Sequence, residues 1–208
     1  TSSSFEVVAV CDVHEEKVRR AAAELGAVAY TDFDRFLEHD TDAVLLANYF
    51  HQHAPFAIRA LRAGKHVLSE TTACFTLAEG VELVEAVESS RKVYMLVENY
   101  AYFAYNMEMR RLYRSGSLGE MRYGEGEYVH PIPSGFWNAI SPGRNHWRNW
   151  MPMTYYLTHS LAPLLYITDT RPVRVNALVL PRDEADEEHF GKTARVNDLG
   201  SVILCTMD

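Results

Sequence analysis

The chain has 208 residues, 48% of them hydrophobic and 23% charged, with a formal net charge of −8. The charge is spread without an acidic or basic block, which argues against nucleic acid as a partner. No apolar run reaches the roughly 18 residues a membrane span needs, which argues against a membrane protein. Cys11, Cys74 and Cys205 lie far apart with no CxxC spacing. They read as small buried apolar residues in a reducing, cytoplasmic compartment.

The first half alternates strands and helices. Residues 5–11 (FEVVAVC) form a continuous apolar run of strand length, ended by Asp12. Residues 15–25 are helical, with Val18, Ala22 and Leu25 on one face and Gly26 as the stop. A short strand is expected over 27–30, a helix over 32–38, a buried strand over 42–47 (DAVLLA) and a helix over 54–63. Residues 66–69 form a further strand. Thr76 starts a helix with Glu79 three positions on, the spacing of a capping box. A strand over 93–97 and a long helix over about 102–115 complete this half. Buried strands without polar alternation, joined by helices, predict a parallel sheet covered on both faces.

The pattern changes after Gly119. Residues 122–130 alternate as a half-exposed strand would, and a loop rich in Pro, Gly and Trp follows over 131–152. A helix over about 154–166, a strand over 173–180, an acidic loop over 183–188 and a strand over 200–206 come next. The expected architecture is therefore α/β. Residues 1–119 form a doubly wound, Rossmann-type dinucleotide-binding domain lacking its first strand, and residues 120–208 begin an incomplete α+β domain with a mostly antiparallel sheet. No GxGxxG is present, and TSSS precedes what counts as the second strand. About 30 further residues carrying the central strand and its glycine-rich turn are expected before Thr1. Without that strand, residues 7–11 and 44–47 would flank an empty lane in the sheet.

Several residues stand where chemistry is expected. Asp12, at a strand tip, either accepts hydrogen bonds from ribose hydroxyls or caps the following helix. The absence of an arginine at Val13 and His14 favours NAD over NADP. His51 and His53 lack the neighbouring ligands a metal requires, so no metal site is expected. Tyr156 and His159 are three apart and share a helical face, where they either form a site or pack on the first domain. Trp147 and Arg148 pair an aromatic face with a charge, which suits a polyol, although Trp147 and Trp150 equally suit anchoring the loop.

Residues 64–72 read GKHVLSETT. This run resembles the turn after the fifth strand in the glucose-fructose oxidoreductase, inositol dehydrogenase and MocA family. There the turn usually reads Glu-Lys-Pro, whereas Thr71 and Thr72 follow Glu70 here. The run ANYFHQHAP (47–55) resembles the family's Thr-Pro-Asn-x-x-His segment, with His53 at the histidine. The run YLTHSLAP (156–163) is similar to the Tyr-Pro-Thr-His-Gly-Leu-Gly-Pro segment of the NAD-dependent glycoside hydrolase branch, as in α-N-acetylgalactosaminidase. The dehydrogenases instead carry an Asp four residues before the histidine, and position 155 here is Tyr.

The resemblance implies an NAD-dependent oxidoreductase acting on a sugar or polyol by hydride transfer. A glycosidase working through transient oxidation, or a catalytically inactive cofactor-binding relative, are the alternatives. It implies catalytic roles for His159 and Tyr156. Asp12, Asn48, Tyr49, His53, Glu70, Thr71 and Asn99 fall on the cofactor side, and Trp147, Arg148 and Tyr155 on the substrate side. Glu70 serves equally well as an acceptor for backbone N–H groups, and Asn99 as a helix cap. A homo-oligomer formed through the second-domain sheet is implied as well.

Overall fold

The computed structural model describes residues 5–131, 136, 139–141, 146–181 and 198–208. The chain forms two compact units. One takes in the chain to Leu46 together with Ala54–Leu68 and Thr76–Met95; the other takes in Ala47–His53, Ser69–Phe75 and the chain from Leu96 on.

In the first unit β1 (Ala9–Cys11) leads through α1 (Glu15–Leu25) to β2 (Val28–Tyr30), and α2 (Phe33–Leu37) follows. β1 and β2 pair in parallel, with Ala9 opposite Val28 and Cys11 opposite Tyr30. β1 is shorter than its apolar run because its ladder extends only along a three-residue partner. Gly26 closes α1 with φ of 69°, a left-handed conformation that costs glycine nothing.

β3 (Ala43–Leu46), α3 (His53–Arg62), β4 (His66–Ser69), α4 (Leu77–Ser90) and β5 (Tyr94–Leu96) follow. These strands form a second parallel sheet in the order β3-β4-β5. β1 and β3 therefore lie in different sheets, and no ladder joins them. Val44 and Leu46 from β3, Val67 from β4, Ile58 and Leu61 from α3 and Leu83 from α4 make the core. Each such side chain stabilises the fold by about 1.5–3 kcal/mol on leaving water. α3 contributes Ala57, Ile58, Ala60 and Leu61. α4 starts with the expected capping box: Thr76 Oγ1 accepts from the Glu79 N–H at 3.2 Å, and Glu79 Oε2 accepts from the Thr76 N–H at 3.0 Å.

In the second unit a 3₁₀ turn (Tyr100–Tyr102) precedes α5 (Ala104–Arg114), so the α-helix starts two residues later than the pattern suggests. A second 3₁₀ turn (Met153–Tyr156) runs into α6 (Leu157–Thr168). Arg114 donates to Asp169 at 2.7 Å and Arg110 lies over the Tyr166 ring at 4.2 Å, fastening α5 to the end of α6. β6 (Pro172–Pro181) and β7 (Asp198–Met207) form the antiparallel sheet, with Val175 opposite Cys205 and Leu178 opposite Val202.

Residues 122–130 are not a strand, although their alternation suggested one. Alternation needs a partner edge to become a ladder, and Gly124 and Gly126 weaken the strand preference further. The segment instead passes tightly against α6. A Cβ added at Gly126 would collide with the Ser160 carbonyl oxygen. The acidic loop over 183–188 and part of the loop over 131–152 lie outside the described residues.

Candidate active site

The site is assembled in the second unit, from turns that follow β3, β4 and β5, the segment after α5, and the start of α6. Phe50, 1% exposed, lies in the 3₁₀ turn Phe50–Gln52 after β3. Its ring lies within 5.2–5.4 Å of those of Phe75, Trp147, Trp150 and Tyr155. Tyr155 donates its hydroxyl to the Phe75 carbonyl at 2.7 Å. Trp150 and Tyr155 thereby anchor the loop to the turns, the role expected for Trp150.

His53 is buried at the start of α3, and both its ring nitrogens meet backbone carbonyls. Nδ1 lies 2.9 Å from the Thr72 oxygen, and Nε2 lies 3.0 Å from the Asn48 oxygen. It holds the turn after β3 to the turn after β4. The Asn48 side chain has a buried amide nitrogen and a buried amide oxygen, neither bonded by a group among the described residues. Tyr49 is exposed, with its ring 5.7 Å from His146 and 6.4 Å from Trp147. Glu70 is exposed, Thr71 is half-buried, and the Thr71–Thr72 peptide is cis. Asn99 is exposed and heads the Tyr100–Tyr102 turn without a side-chain capping bond.

The centre of the site is Glu98, 5% exposed at the end of the turn after β5. Its Oε1 accepts the Tyr100 backbone N–H at 3.0 Å and lies 2.8 Å from His159 Nδ1. A carboxylate accepts, so Nδ1 carries the hydrogen and Nε2 is left as the ring's accepting nitrogen. Three phenols surround this imidazole. The Tyr100 ring lies 4.8 Å from His159 and the Tyr128 ring 4.6 Å from it, while Tyr156 stacks at 5.7 Å with 28° between planes. Tyr128 and Tyr156 stack on each other at 5.6 Å. Arg148 Nη1 donates to the Tyr156 hydroxyl at 3.2 Å, with its guanidinium over the Trp147 ring at 4.2 Å.

Burial, then the neighbouring Tyr156, Tyr100 and Glu98, push the Tyr128 phenol up to about 12, with Arg148 opposing.

Sequence reasoning named Tyr156, His159, Arg148 and Trp147, and the structure brings these four together. Glu98 and Tyr128 were missed as site residues. A carboxylate closing an apolar strand was a usable signal for Glu98. Tyr128 sat in an alternating stretch that looked like any surface strand. Asp12 belongs to the first unit, where its Oδ1 accepts the His14 N–H at 2.8 Å. The N-cap of α1 is His14 rather than Asp12. Among the described residues no group of three or more His, Cys, Asp or Glu converges as a metal site, and no helix is long and apolar enough to cross a membrane.

Residues 1–98 match the model of the GFO_IDH_MocA oxidoreductase family, with an NAD-binding Rossmann fold. Over these residues the chain is similar to that family. Two Bacteroides fragilis proteins, a glycosyl hydrolase family 109 protein 2 and an alpha-N-acetylgalactosaminidase from another strain, are each 30% identical to it over 191 residues. Those alignments cover 84% of this chain, which spans 45% of each of these curated relatives. The fold is also that of the WlbA dehydrogenase from Chromobacterium violaceum, solved in complex with NADH and UDP-GlcNAcA. That match has a TM-score of 0.78 at 19% identity, covering 95% of this chain and 55% of the other. The expected fold class and the expected NAD cofactor agree with these findings.

Proposed function

We propose that this chain carries the core of an enzyme that oxidises a sugar or polyol carbinol by hydride transfer. The observation that supports it is the Glu98–His159 pair, a buried carboxylate on one ring nitrogen that leaves the other as a base, ringed by phenols. The untaken amide nitrogen and oxygen of Asn48 fit a cofactor that has donors and acceptors of its own. Asn48, Tyr49, His53, Glu70, Thr71 and Asn99 would hold its nicotinamide end, and Asp12 an adenosine ribose. NAD, when bound, supplies the hydride acceptor. His159 Nε2 takes the carbinol proton as the C–H hydride departs, leaving a ketone. Glu98 fixes the tautomer and offsets the imidazolium charge.

The stacked phenols of Tyr128 and Tyr156 favour a second reading, in which the oxidation is transient and serves glycoside cleavage. A ring ketone acidifies the neighbouring C–H, Tyr156 or His159 takes that proton, and the aglycone leaves by elimination; water then adds in its place and the hydride returns to the ketone carbon, so that the net change is hydrolysis. This is the route of the NAD-dependent exceptions to two-carboxylate glycosidases. The name of the B. fragilis alpha-N-acetylgalactosaminidase supports this reading.

Incubation with NAD, free sugars and nitrophenyl glycosides, with NADH and nitrophenol absorbance followed together, tests both. NADH in proportion to product without aglycone release supports the dehydrogenase. Nitrophenol release with catalytic NAD supports the glycosidase. Neither signal means an inactive cofactor-binding relative. His159→Ala is expected to abolish either activity with NAD affinity nearly unchanged.

The same reading divides the chain into domains at Gly119. It also expects a homo-oligomer through the β6–β7 sheet, where Leu178, Leu180 and Leu204 are exposed. Sedimentation of the protein tests the oligomer.

A further inference from the structure

Arg148 was expected on the substrate side, yet its side chain bonds Tyr156, a contact that the proposed chemistry does not use. Its guanidinium has donors only, so its bond to the Tyr156 hydroxyl occupies a lone pair of that oxygen. The Tyr156 hydrogen must then point away from Arg148. The guanidinium is itself held by stacking on Trp147 at 4.2 Å, so the donor is fixed in place. The Tyr156 ring packs near-parallel on both Tyr128 and His159, at 24° and 28°, and those two rings lie 4.6 Å from each other. Ring contacts fix the plane, and only a hydrogen bond can fix the rotation of the hydroxyl within it.

We propose that Arg148 is a positioning residue for Tyr156, fixing the hydroxyl so that its proton exchanges with the substrate, and is not itself a substrate clamp. The proposal rests on the functional reading above for its substrate, but the Arg148–Tyr156 link stands on geometry alone. Other charged or titratable groups near Tyr156 are Tyr128 from the segment after α5 and His159 from α6. Glu98 and Tyr100 lie behind His159, and His130 lies beside Tyr128, 5.9 Å from its ring. Arg148 is the cation that bonds the phenol. Lysine cannot reproduce both the planar stack and the directed N–H, so it should substitute only in part.

A double-mutant cycle tests this. Arg148→Gln should lower kcat by up to about 10²-fold, the effect of a misplaced reacting group, with KM little changed. Arg148→Lys should recover part of the loss. In a Tyr156→Phe background the Arg148→Gln change should cost nothing more, because residues that act as one unit are not additive. A second readout needs no turnover: the ¹³Cζ tyrosine resonance that disappears in Tyr156→Phe should shift in Arg148→Gln and move part of the way back in Arg148→Lys. Arg148→Lys carries this second test alone if Arg148→Gln does not fold. A rise in KM alone, additive losses, or an unmoved Cζ resonance would overturn the proposal. Absence of turnover by the unsubstituted protein would count against the functional reading, and the resonance would still decide the role of Arg148.

Discussion

Glu98 and His159 are 61 residues apart in the chain, yet a carboxylate oxygen of one lies 2.8 Å from a ring nitrogen of the other. Glu98→Gln keeps the shape and removes the charge. An amide presents either its oxygen or its NH₂ to Nδ1, so the tautomer is no longer fixed. We expect kcat to fall by about 10²- to 10⁴-fold, with the NAD dissociation constant nearly unchanged. Steady-state rates beside a cofactor titration check this, and an equal loss in both would assign Glu98 to binding.

Gly126→Ala tests the close approach of the segment after α5. The added methyl meets a backbone carbonyl of α6, which cannot rotate away. Destabilisation of about 1–3 kcal/mol is expected, with a drop in activity because Tyr128 two residues on is carried out of register. A denaturant midpoint equal to that of the unsubstituted protein would mean the segment has slack.

Tyr128 should reveal itself at high pH. Its folded-state pKa is raised to about 12 from an ordinary value near 10. The stabilisation this represents is fully present below about 10 and is lost as pH rises through 12. Tyrosinate absorbance should lose a late-titrating phenol in Tyr128→Phe, while Tyr123, raised by its hydrogen bond to Glu125, is unaffected. The same variant should flatten the fall in stability over that window.

Asp12→Ala should weaken NAD more than NADP. It removes an acceptor for ribose hydroxyls and a charge that repels a 2′-phosphate. Equal loss for both cofactors in a binding titration would leave Asp12 only its bond to the His14 N–H.

Strand and helix order in the first unit was legible because each element carries its own signal: an apolar run, a facial repeat, a cap. Thr76 with Glu79 and Gly26 behaved as their residue types dictate. Residues 122–130 misled because alternation records which faces differ in polarity, and pairing depends on a neighbour that local sequence does not contain. The same limit hid Tyr128, whose role comes from Gly126 fitting against α6. His159 and Tyr156 stood out through the family resemblance of residues 156–163, since their spacing alone suited packing equally well, whereas the carboxylate that orients His159 comes from another turn.

Phe50 has a kinetic consequence. Its ring joins Phe75, Trp147, Trp150 and Tyr155, so the turns that shape the site close only when segments about 100 residues apart meet. Bringing such distant ends together costs on the order of 4 kcal/mol in loop entropy before any ring contact repays it. Local helices and the α3–α4 core face no such barrier. During refolding, far-ultraviolet dichroism should therefore recover before the tryptophan fluorescence of Trp147 and Trp150, and Phe50→Leu should widen that interval.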